Sequence, residues 1–102
     1  MVLPATRNAY GDMEVVTVRL PKALKTKFAA ELVQTMQQWR AIGVGKALFR
    51  ISLEDASFVP TLAQNGFEYH EVKPKELTMM QKFYDAPSGM MIARPVATPS
   101  GM

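Results

Sequence analysis

The chain contains no cysteine, which excludes disulfide staples, thiolate nucleophiles and sulfur-ligated metals together. It has one histidine, His70, and one tryptophan, Trp39. A single imidazole without cysteine or a run of spaced acids leaves little from which to build a metal site. No apolar stretch reaches the about 18 residues that a membrane-spanning helix requires. Met1 to Asp12 lacks the apolar core of a secretory signal, and one arginine within Met1 to Arg7 is too little for a mitochondrial presequence. A cytoplasmic location is the expectation. Charge of one sign is also scarce: twelve Lys and Arg stand against nine Asp and Glu, a net +3. Only Lys22, Lys25 and Lys27 crowd together, and they read as the solvated face of a helix start. A nucleic-acid surface needs more positive charge with exposed aromatics between. Neither nucleic acid nor membrane is an expected partner.

What is present describes one α/β (α+β) domain, since 102 residues do not support two. Residues 1–12, with Pro4, Asn8, Gly11 and Asp12, read as a frayed N-terminal extension. Met13 to Leu20 is β-branched and predicts a strand ended by Pro21. From Lys22 to Ala41 the apolar residues Leu24, Phe28, Leu32, Met36 and Trp39 recur at helical spacing, with Thr26 as a candidate cap and Gly43 as the stop. Lys46 to Leu53 predicts a second strand, and Glu54 to Asn65 a shorter helix in which Pro60 delays the regular part to about Ser57. Glu54 and Asp55 suit the positive start of that helix. Asn65-Gly66 suits a left-handed stop, and a hairpin follows from Phe67 to Val72 and Leu77 to Tyr84, turning at Lys73-Pro74-Lys75-Glu76. The domain is expected over residues 13–85, with 86–102 a flexible tail carrying Met90-Met91-Ile92. The order β-α-β-α-β-β predicts a four-stranded mixed sheet, its first three strands parallel and the fourth antiparallel beside the third. Helices cover one or both faces. Trp39 and Phe67 are expected in the core.

The chemistry is sparse. Arg40-Ala41-Ile42-Gly43-Val44-Gly45 fits R-x-x-G-x-G, the pyrophosphate loop of acetyl-CoA-dependent N-acetyltransferases. That loop follows a strand and opens a helix, where amides meet phosphate. Here it closes a long helix and opens a strand, and the dipole at a helix C-terminus disfavours anions. A structural turn is the expected reading. His70 has no serine, cysteine or metal-ligand cluster accompanying it in sequence, so it reads as a surface or half-buried strand residue. Tyr69, Tyr84 and Trp39 read as hairpin and core residues. No catalytic, cofactor-binding or metal-ligating residue is assigned. The eight methionines, three of them in the tail, suggest a soft contact surface.

In order, the chain carries Tyr10-Gly11-Asp12, a strand closing in Arg19-Leu20-Pro21, and a helix ending Gln37-Gln38-Trp39-Arg40. A strand, a short helix with an inner Pro60, and Asn65-Gly66-Phe67-Glu68-Tyr69-His70 follow. This pattern, from Tyr10 to Tyr84, resembles the domain preceding the catalytic core in Nudix hydrolases of the fibroblast-growth-factor-antisense type and their plant relatives. The resemblance implies a non-catalytic, N-acetyltransferase-like half-domain supporting a hydrolase of nucleoside diphosphates linked to another moiety, such as ADP-ribose or NADH. Divalent metal is expected only with the Nudix core, whose box sets Arg-Glu ahead of Glu-Glu; no such run occurs in this sequence. The expectation is a pre-Nudix domain, truncated or standing alone, whose partner is itself or a Nudix catalytic domain. The competing expectation is a minimal acetyl-CoA-dependent N-acetyltransferase.

Overall fold

The computed structural model describes residues 2–83. The predicted tail over 86–102, its methionine patch, and Tyr84 at the end of the last strand lie outside the described residues. Eight elements follow in chain order: β1 (Thr6–Arg7), β2 (Met13–Val16), α1 (Lys22–Thr26), α2 (Phe28–Ala41), β3 (Lys46–Ser52), α3 (Phe58–Gln64), β4 (Glu68–Lys73) and β5 (Glu76–Lys82). They form a mixed α/β fold on one five-stranded sheet of order β1-β2-β3-β5-β4.

The predicted four strands are five. The additional one is β1, which pairs antiparallel with β2 through Thr6 opposite Glu14 and Arg7 opposite Met13. Two residues show no readable period, and for that reason the segment looked frayed. It is anchored instead. Leu3 is 2% exposed, its N–H donates to Thr35 Oγ1 at 2.8 Å, and Thr35 in turn donates to the Glu31 carbonyl at 2.7 Å. The Asn8 side chain closes the β1–β2 turn by accepting from the N–H groups of Tyr10 and Asp12.

Strand directions follow expectation, and so does the antiparallel pairing of the last two strands; the order of strands across the sheet does not follow the chain. β2 and β3 are parallel, with Val15 opposite Phe49, because a helical crossover joins them. The last strand does not sit at the edge. β5 lies between β3 and β4, antiparallel to both, and β4 becomes the outer strand. Pattern along a chain reports which residues share a face, not which strand lies beside which.

The predicted 13–20 strand stops at Val16, and Thr17–Arg19 form a 3-10 turn. Thr17 causes the departure: its buried Oγ1 accepts the Ser52 N–H at 3.1 Å, and Val18 swings out to 55% exposure. The predicted 22–41 helix breaks at Lys27, whose φ of −109° and ψ of 24° separate α1 from α2. Thr26 does not cap the second piece; it bonds back to the Lys22 carbonyl. The apolar stripe survives the break, and Leu24, Phe28, Leu32, Met36 and Trp39 are all buried. Pro60 is tolerated as the third residue of α3, where no intrahelical donor is required.

The core is an aromatic cluster between the helices and one face of the sheet. Phe28 stacks on Phe58 with ring centres 4.1 Å apart, and Phe49 meets Phe28 and Phe67 edge-on at 5.9 and 5.1 Å. Trp39 lies 6.2 Å from Phe49. Each such ring contributes about 1.5–3 kcal/mol by leaving water. The expectation that Trp39 and Phe67 are core holds: they are 2% and 3% exposed.

Candidate functional site

Strand alternation sends a different set of side chains to the other face of the sheet. Glu14, Leu48, Met80 and Glu68 form one cross-strand row there; Val16, Arg50, Thr78 and Glu71 form the next. Between them lies a shallow polar cleft whose lining, which includes Glu14, Arg50, His70, Lys73 and Glu76, comes from strands alone. Four of its charged groups are already paired. Arg50 Nε lies 3.2 Å from Glu76 Oε1, and Lys73 Nζ lies 4.0 Å from Glu71 Oε2. His70 is exposed and sits at an irregularity in β4, where pairing with β5 shifts between Tyr69 and Glu71. The face offers polar contact.

The Arg40–Gly45 segment is a helix stop. Gly43 follows the end of α2 with φ of +84°, in the left-handed region that glycine enters without strain. Its N–H donates to the Arg40 carbonyl at 3.2 Å, and the Val44 N–H donates to the Trp39 carbonyl at 2.9 Å. The Ile42 N–H is likewise spent on Gln38. This is the paired hydrogen-bond closure of a Schellman turn, repeated where Gly66 (φ +93°) and Phe67 close α3 onto Ala63 and Leu62. The Arg40 guanidinium stands 5.1 Å over the Phe83 ring, a cation–π contact. Amides satisfied at a helix C-terminus and an arginine over an aromatic ring do not form a phosphate cradle.

One buried polar centre escaped the sequence reading. Asp55 does not start the short helix, which begins at Phe58. It is 6% exposed and binds Lys25 Nζ through both carboxylate oxygens at 3.1 Å. Ser52 Oγ donates to Asp55 at 3.0 Å. Burial alone would raise the Asp55 carboxyl; hydrogen bonds from Lys25, Thr17 and Ser52, with the Lys25 charge, outweigh it and hold the group below the ordinary aspartate range. Lys25 therefore leaves the predicted solvated face, while Lys22 and Lys27 remain on it. The network ties α1 to the ends of β2 and β3. It is structural, and only a thirty-residue separation in sequence concealed it.

Comparison with known proteins places the sequence in a family. The sequence profile of the Nudix hydrolase domain matches residues 3–83. The chain belongs to the Nudix hydrolase domain family. It is 29% identical over 87 residues to Nudix hydrolase 10 of Arabidopsis thaliana, an alignment covering 85% of this chain and 31% of that protein. The chain thus spans less than a third of the relative's length. Nudix chemistry uses clustered carboxylates to hold divalent metal, and the residues present do not fit one. Among the described residues no three of His, Asp and Glu converge, and Glu71, Glu76 and Asp55 are engaged by cations. Among those residues, too, no helix is long and apolar enough to cross a membrane.

Proposed function

We propose that this chain is a non-catalytic, acetyltransferase-like pre-Nudix domain that acts by contact. It supports a Nudix catalytic core that hydrolyses nucleoside diphosphates linked to another moiety, of which ADP-ribose and NADH are the expected examples. The observation that carries the reading is a mismatch. The family profile covers nearly all the described chain, yet the sequence holds no Arg-Glu followed by Glu-Glu, and among the described residues no three of His, Asp and Glu are grouped to hold a metal. The family's sequence pattern is matched here without the carboxylate cluster that its chemistry requires. The run β2-α1-α2-β3-α3-β4-β5 and the helix stop at Gly43 also support an acetyltransferase-like scaffold without a coenzyme loop.

Calorimetric titration of the chain with a separately expressed Nudix catalytic core of the plant type tests the reading. Saturable heat at about 1:1 supports it. No heat at about 100 µM of each protein removes it.

A further inference from the structure

β4 is the outer strand of the sheet, exposed along all six residues. Three of the four most exposed large hydrophobics among the described residues gather beside it: Val72 at 75%, Leu53 at 71% and Tyr69 at 66%. Leu53 and Val72 border one apolar groove. The irregularity at His70 has a geometric effect on this edge. In an unbroken strand, residues three apart face opposite ways. Here Tyr69 stands opposite Met79 and Val72 opposite Leu77, so the two share the helix side of the sheet. Glu68, Glu71 and Lys73 share the polar side.

We propose that this edge pairs with itself: two copies of the chain join antiparallel through Glu68–Lys73, about a twofold axis between His70 and Glu71. In that register Glu68 stands opposite Lys73, Tyr69 opposite Val72, and His70 opposite Glu71, each pair occurring twice. Residues opposite one another across a ladder must share a face, and the extra residue at His70 meets that condition for both Tyr69–Val72 pairs. Charge then selects the register. Sliding by one sets His70 against His70 or Glu71 against Glu71; sliding by two sets Glu68 against Glu71 or His70 against Lys73. A charged, bulged edge ordinarily resists pairing. This one rejects other strands and accepts its own sequence reversed. The proposal rests on the reading of the chain as a contact domain and assigns one of its contacts to a second copy.

Sedimentation velocity from about 10 µM to about 1 mM, a range suited to a small interface, tests it. The mass is expected to rise from 11.4 kDa towards twice that value. E68K, facing Lys73, and K73E, facing Glu68, each weaken association about tenfold or more, with far-UV circular dichroism unchanged. E68K/K73E restores it, because both 68–73 pairs across the join between copies are again of opposite sign. A wild type that stays monomeric at about 1 mM overturns the proposal, as does a double variant no stronger than the singles. Monomers that bind a catalytic core through β4, losing it in E68K, also overturn it and give the edge to the core. A self-paired chain that takes up no core keeps this proposal and removes the accessory reading.

Discussion

One apolar row crosses four strands of the sheet and meets two different ends. Val15, Phe49, Met79 and Tyr69 lie in register on β2, β3, β5 and β4. The first three are fully buried; Tyr69 is 66% exposed. The next row repeats the pattern: Ile51 is 2% exposed, Leu77 is half-buried, and Val72 is 75% exposed. The helices cover the row as far as β5 and leave β4 without a roof. Side chains of the same kind on the same face thus do different work. The covered ones hold the fold together, and the uncovered ones are available to another surface.

Truncating along the row gives the largest contrast. Phe49→Ala removes the ring that meets Phe28, Phe67 and Trp39 and is expected to cost about 3–5 kcal/mol in urea denaturation. Tyr69→Ala, at the far end, is expected to stay within about 0.5 kcal/mol when measured on the dilute chain. Equal losses at the two positions would break the comparison.

The next effect lies beneath the covered face. Asp55→Ala strands Lys25 and Ser52 and is expected to cost about 2–3 kcal/mol. The carboxyl is held below its ordinary range in the fold, so the folded chain binds fewer protons there than the unfolded one. Its contribution is complete above about pH 4 and is lost as pH falls through the folded value. Denaturation at pH 6 and pH 3 is expected to show acid destabilisation that is smaller in Asp55→Ala than in wild type.

Smaller effects sharpen the picture at its margins. Gly66→Ala forces φ of +93° on a side-chain-bearing residue and sets its Cβ 2.6 Å from Gln81 Nε2, the flexible tip of a side chain. About 1–2 kcal/mol is expected, mostly backbone strain, read as a lower thermal midpoint. Arg50→Ala breaks the half-exposed pair with Glu76 on the polar face and is expected to cost at most about 0.5 kcal/mol.

The sequence revealed most where one element determines its own pattern. The stripe from Leu24 to Trp39, the stops at Gly43 and Gly66, and the faces of β3 all follow from spacing and from backbone conformations that glycine tolerates. What stayed hidden depends on partners distant in sequence. β1 is too short to show a period, and Thr35, 32 residues away, anchors the neighbouring Leu3. Thr17 turns the chain out of the sheet by serving Ser52, 35 residues on. The place of β5 between β3 and β4 is a matter of neighbours, on which alternation is silent. The exposed edge follows from that order of neighbours. Which strand forms it, and that a bulge sets Tyr69 and Val72 on one face, required the register.

The most direct test of action by contact rather than chemistry is turnover by the chain alone. Purified protein at about 100 µM, incubated with Mg2+ and either ADP-ribose or NADH, is assayed for mononucleotide product at rates well below the usual enzyme range of about 1 per second and above. The expected result is product formation no faster than in buffer. Turnover that scales with protein and disappears on chelation of the metal would contradict the account.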